Sequence, residues 1–180
     1  MYWKLGVGVL VVLAATVAGW GYYQVHNYDG MRATYTIELA APPAAVWEQL
    51  VDPEKRPVWV KGLIRIVPLS GQAGTTGSRS LLLMLSAGRR FDVEEQIIGI
   101  EPNIWLGLES NTLDALLTTT FTLEPVGPAR TSTRLTFVQD TFHNTWYGKM
   151  FAPFLRISAE NAARNDLAKL KTITEKSRST

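Results

Sequence analysis

The chain has 180 residues, 46% of them hydrophobic and 19% charged, with a formal net charge of +2. That is long enough for one domain with a real core, too apolar for a disordered chain, and too nearly neutral for an overall drive toward nucleic acid. No cysteine is present, which excludes disulfides, thiolate nucleophiles and sulfur-ligated metals.

The chain opens on an uncharged run of 19 residues, 5–23, LGVGVLVVLAATVAGWGYY. As a helix this run would measure about 28 Å, near the roughly 30 Å of a bilayer's hydrocarbon. Tyr2 and Trp3 precede it, and Trp20, Tyr22 and Tyr23 close it, as amphipathic rings do at membrane interfaces. Lys4 and the small residues Thr16-Val17-Ala18 also fit a cleaved secretory signal. The continuation through Gly and aromatics to Tyr23 favours a retained anchor, residues 1–23. The charge bias from Lys4 and the amino terminus puts the N-terminus in the cytoplasm and the rest outside it. Residues 24–32, QVHNYDGMR, read as a polar tether, with His26 in solvent.

From residue 33 the pattern is that of one folded unit, 33–177. ATYTIEL alternates as a half-buried strand. Pro42 and Pro43 stop it, and Pro43 can open a helix in which Val46, Trp47, Leu50 and Val51 share one stripe. Asp52-Pro53 ends that helix and starts a second short one, PEKRPVWV. Six strand-like segments follow at 62–69, 78–86, 89–102, 103–110, 114–125 and 130–140, separated by short turns, which predicts antiparallel hairpins in sequence order. Residues 147–176 have helical composition. One long helix over one face of a seven-stranded sheet would bury that face. Ala159, Ala162 and Ala163 allow close approach to the sheet, and Leu167, Leu170 and Ile173 continue the apolar side. From Lys149 to Arg178 this helix carries seven basic side chains against three acidic ones. Such a face could meet anionic lipid headgroups or simply be solvated.

APPAAVWEQLVDPEKRPVW, EEQIIGIEPNIWLGL, TTTFTLEPVGPARTSTRLTF and the terminal LAKLK, in that order and spacing, carry a family resemblance. Over about residues 33–176 the chain resembles the helix-grip fold of the START/polyketide-cyclase superfamily (SRPBCC), which includes the birch pollen allergen class. The resemblance implies an α+β fold. A curved seven-stranded antiparallel sheet surrounds a long C-terminal helix, with two short helices after strand 1. The transmembrane helix is separate from this unit. It also implies a large apolar pocket between sheet and helix, binding lipids, sterols, polyketides or other hydrophobic molecules. A minority of members are cyclases, dehydratases or aromatases, and fold does not decide between these uses.

The candidate site residues follow from strand parity. Phe91, Val93, Glu95 and Ile97 share a face, so Glu95 either points into the cavity or sits at its mouth in water. A buried Glu95 would have to pair or take up a proton. Leu117, Thr119, Phe121 and Leu123 share a face, as do Leu135, Phe137 and Gln139. Thr119 and Gln139 are candidate polar anchors for a ligand, or satisfied core residues, with Phe121 and Phe137 as apolar lining. Trp59 and Trp105 are candidates for pocket rim or lining, or for core packing. For catalysis the weak candidates are Glu95 and His143, the latter three residues after Asp140 in QDTFHNTWYG, as a His–carboxylate pair or as part of a polar loop. No metal site, cofactor or nucleic acid is expected, and the sequence identifies no protein partner.

Three functions stay open on this reading. The leading one is a membrane-anchored binder of a hydrophobic small molecule or lipid. Its rival is a cyclase- or dehydratase-type enzyme in the same cavity. The third is an interaction module whose pocket is filled by its own side chains. A cavity below roughly 300 Å³ would favour the last.

Overall fold

A computed structural model describes residues 2–128 and 130–176, with side chains from residue 9 onward. Arg178 and the end of the predicted unit at 177 lie outside the described residues. In chain order the elements are α1 (Tyr2–His26), β1 (Met31–Leu39), α2 (Pro43–Val51), α3 (Arg56–Trp59), β2 (Leu63–Ser70), β3 (Arg79–Ser86), β4 (Arg89–Glu101), β5 (Trp105–Asn111), β6 (Ala115–Val126), β7 (Ser132–His143) and α4 (Trp146–Lys176). The strands form one antiparallel sheet in the order β1-β7-β6-β5-β4-β3-β2. This is the helix-grip architecture expected from the sequence.

The prolines act as the sequence suggests. Pro42 is extended, with φ −67° and ψ 155°, and Pro43 opens α2, where a missing N–H leaves no bond unmade. The Asp52 carboxylate accepts the Glu54 backbone N–H at 2.8 Å, turning the chain toward α3. The α2–α3 pair thus connects β1 and β2, which lie at opposite edges of the sheet. Pro68 is tolerated because β2 is an edge strand. Register shifts in β2 and between Ile97 and Gly99 of β4 mark bulges, which bend and twist strands. The bulge in β4 also changes parity, so Ile97 and Ile100 both pack on the core while Ile98 is exposed.

The second half of α4 is the part that grips. Ala163, Leu167 and Leu170 are buried in one core with Leu39, Leu50, Leu106 and Leu135. Two carboxylates tie this half to loop backbone: Asp166 accepts the Lys61 N–H at 3.0 Å, and Glu175 accepts the Ala40 N–H at 3.0 Å.

The N-terminal helix extends further than the apolar run, through His26, and β1 begins at Met31. Only Asn27–Gly30 links them, where the sequence reading had a nine-residue tether. The extra strand residues are secured: Arg32 makes a bidentate pair with Asp140 at 2.6 and 2.8 Å. The Tyr28 hydroxyl donates to the Thr141 carbonyl at 3.0 Å and accepts the His143 N–H at 3.1 Å. By length and composition α1 could cross a membrane, and its apolar side chains from Val9 to Val17 are exposed. Its last turns meet α4, with Trp20 edge-on to Phe154 at 6.3 Å between ring centroids.

Candidate functional site: two chambers beneath the long helix

The curved sheet and α4 leave two hollows that meet at Gln139 and Ala159. The inner one, about 270 Å³, lies under the middle of α4. Trp59, Glu95, Thr119, Phe121, Phe137 and Gln139 all line it. Strand parity brings five of the seven residues singled out for ligand contact to this chamber, and α3 adds Trp59 as a sixth. The outer one, about 560 Å³, lies under the first half of α4. Its walls include Leu117, Thr141, His143, Tyr147, Phe151 and Leu155.

In the inner chamber the aromatics are fixed in place. Phe121 meets Trp59 edge-on at 6.4 Å and Phe137 in a tilted arrangement at 5.5 Å, and such geometries suit the ring quadrupoles. The Trp59 indole N–H donates to the Gln49 carbonyl at 2.9 Å, so its polar atom is satisfied by α2.

Glu95 is 6% exposed and faces inward, and of the two outcomes open to a buried carboxylate it takes pairing. The Arg56 guanidinium donates to its two oxygens at 2.6 and 2.9 Å. Burial by itself would lower the Arg56 pKa, but the Glu95 charge and hydrogen bond outweigh it and hold the pKa above its ordinary value. The pair leaves a neutral, hydrogen-bonded polar end on a mainly apolar chamber. For Glu95 to act as an acid or base it would first have to leave the guanidinium.

Arg56 itself was missed by the sequence reading, as was Asp166. The signal for Arg56 was a basic residue at the head of the second short helix. For Asp166 it was an acidic residue one position before Leu167, a residue of the apolar side. Burial pushes the Asp166 carboxyl up, partly offset by the Lys61 N–H it accepts.

Trp105 is not part of either chamber. Leu106 and Leu108 of β5 face the core, so Trp105 lies on the other face. There its ring covers Gly99 and Gly107, and a Cβ at either position would collide with it. The absence of those two side chains makes the trough that holds the indole.

His143 also differs from expectation. It is the last residue of β7, paired with Ala115, and not part of a loop. Asp140 has the opposite parity and is engaged by Arg32, so the His143–Asp140 couple weighed as an alternative does not form. The His143 side chain is buried, and neither ring nitrogen makes a hydrogen bond of ordinary geometry. Burial pushes the imidazole pKa below its ordinary value, against the opposing charge and backbone carbonyl of Asp114. Gly148 in the first turn of α4 permits this packing, since a Cβ there would fall 2.9 Å from Nδ1. At the rim, the Tyr147 hydroxyl donates to the Asp114 carboxylate. Among the described residues no cluster of three or more His, Asp or Glu side chains is placed to hold a metal ion.

Solved structures with this architecture are numerous. The Zhui aromatase/cyclase from a Streptomyces species is 15% identical, with a TM-score of 0.67 over 81% of this chain and 94% of its own. A protein from Thermus thermophilus is 16% identical, with a TM-score of 0.64 over 83% and 99%. Ara h 8.0201 is 12% identical, with a TM-score of 0.62 over 79% and 97%. At such identities these likenesses establish the fold alone. No curated protein matches the chain. The family described as polyketide cyclase / dehydrase and lipid transport matches residues 31–175, from the first strand to the end of the gripping helix, and the chain belongs to that family.

Proposed function

We propose that this protein is a membrane-anchored binding protein for a hydrophobic small molecule or lipid, held in the hollow between sheet and α4. One observation carries the reading: two adjoining chambers of about 270 and 560 Å³ remain under the helix, walled mainly by aliphatic and aromatic side chains. Together they fall within the range of small-molecule sites. The third possibility, a pocket filled by its own side chains, has little support from volumes of this size.

The mechanism is desolvation. Apolar surface leaving water gains about 25 cal/mol per Å², so a guest burying on the order of 300 Å² gains about 7 kcal/mol before the cost of immobilising it. Gln139, at the junction of the chambers, and Thr119 and the Arg56–Glu95 pair, in the inner one, would orient the guest's polar groups. Phe121, Phe137 and Trp59 would shape the apolar wall. The α1 helix would hold the domain at a bilayer, with the N-terminus cytoplasmic and the domain on the other side. The enzymatic alternative draws less support, because Glu95 is committed to Arg56 and the His143 nitrogens are enclosed.

Native mass spectrometry of the full chain, released from detergent micelles after expression in bacteria, tests this reading. A discrete hydrophobic adduct at one copy per chain is the expected result. A bare chain mass, with no uptake when lipid is added, would contradict it.

A further inference from the structure

The two halves of α4 differ in what covers them. In the second half the large apolar residues face the core, with Leu167 and Leu170 buried and Ile173 partly so. In the first half Trp146, Tyr147, Phe151, Phe154, Leu155 and Ile157 are all exposed, Phe154 at 61% and Ile157 at 60%. Single exposed apolar residues need no explanation, but six large ones within four turns form a surface that water does not favour. Leu113, in the β5–β6 turn, is 98% exposed, and the Tyr147–Asp114 hydrogen bond places that turn at the same end of the molecule.

We propose that the first half of α4, together with the Leu113 turn, rests on a lipid bilayer beside α1, so that the outer chamber opens onto the membrane. The inference rests on the reading of α1 as an anchor and adds the orientation of the domain to it. Three observations favour lipid over another protein. First, the surface continues directly into α1: Trp20 packs on Phe154, and the Met150 sulfur lies 3.1 Å from where a Cβ of Gly21 would be. Among the described side chains of α1 these contacts come from Trp20 and Gly21, near its end, and its valines and leucines from Val9 to Val17 are exposed. Any bilayer holding α1 therefore brings its interface to Phe154. Second, the charged residues from Trp146 to Glu160 are Lys149, Arg156 and Glu160; Arg156 pairs with Glu160 at 2.9 Å, so Lys149 supplies the net positive charge of this stretch, which suits anionic headgroups. Third, Tyr147, Phe151 and Leu155 belong both to the exposed surface and to the wall of the outer chamber. An apolar guest leaving a bilayer at this point would pass from acyl chains to cavity lining without crossing water.

The absence of native cysteine makes the test clean. Single cysteines replace Phe154, Ile157, Leu13 and, as a control on the outer face of β1, Thr34. Each is spin-labelled in the full chain, reconstituted in vesicles of phosphatidylcholine with phosphatidylglycerol. Collision rates with oxygen, which concentrates in lipid, and with a water-soluble nickel chelate, which does not, give the location of each label. The expected result is an oxygen-to-nickel ratio severalfold higher at Phe154→Cys and Ile157→Cys than at Thr34→Cys, and highest at Leu13→Cys. A high ratio at Leu13→Cys with control-like ratios at Phe154→Cys and Ile157→Cys would overturn this proposal and leave the anchor standing. Shielding of both α4 labels from both reagents would overturn it in favour of a protein partner or second copy. A control-like ratio at Leu13→Cys would remove the anchor and this proposal together. The two α4 positions are mostly exposed, so labels there leave the core intact.

Discussion

The first and second halves of α4 belong to one continuous helix but answer to different physics. The second half, from Ala163 to Thr174, is seated in the core and tied down by Asp166 and Glu175. The first half buries little beyond Gly148 and Ala152, and roofs the larger hollow with side chains that also face outward. The inner chamber ends on a satisfied ion pair, whereas the outer chamber ends on a buried histidine whose ring nitrogens make no hydrogen bond of ordinary geometry. The difference teaches that rigidity and access are separated along one element: one half holds the fold shut, and the other half leaves a doorway.

Substitutions can break that contrast in order of size. The largest effect is expected at the ion pair. Glu95→Ala leaves the buried Arg56 charge uncompensated and should destabilise the protein by about 3–5 kcal/mol in urea titrations. Replacing both partners with methionine should recover most of that loss, because the charge to be desolvated is gone. Next comes the gripping half: Leu170→Ala should cost about 2–5 kcal/mol through lost burial and a cavity. By contrast Ile157→Ala, on the exposed half, should change stability by less than about 0.5 kcal/mol. Equal costs at Leu170 and Ile157 would end the distinction between the halves.

A pH titration sharpens the comparison at the outer end. The folded pKa of His143 is depressed, so the unfolded chain binds a proton more readily than the folded one. Stability should be fullest above the ordinary histidine pKa of about 6.5 and fall as pH drops from there through the native value. In His143→Gln that part of the slope should vanish, which urea midpoints at pH 7.5 and pH 5 would reveal. An unchanged difference between the two midpoints would show that His143 is not the group being titrated.

How far the sequence could be read depended on parity. Alternation on β6 and β7 correctly put Thr119, Phe121, Phe137 and Gln139 on one face, because each strand keeps its register throughout. The same count, carried two steps past Gln139, arrives at Thr141 and His143; stopping the strand at Asp140 hid them. Parity was silent at Trp105, since a segment with apolar residues at both parities does not say which face is inside. The trough that settles it is made by Gly99, from a neighbouring strand beyond a bulge. Arg56 was invisible for another reason: its partnership with Glu95 spans 39 residues and exists only once α3 folds over the sheet. Composition described α4 as one helix. The aromatic run WYGKMFAPF at its start was the unread sign that its beginning does a different task.

The most direct trial of the hollow is to plug it. Ala159 lines both chambers, so Ala159→Trp should obstruct both without touching the Arg56–Glu95 pair. Uptake of a pyrene-labelled fatty acid by the full chain in nanodiscs, compared between the two proteins and against empty nanodiscs, is the measurement. The account predicts saturable uptake by the native chain, reduced about tenfold or more in Ala159→Trp, in line with a loss of more than about 1.4 kcal/mol of binding. Equal uptake by both proteins, or none above empty nanodiscs, would contradict it.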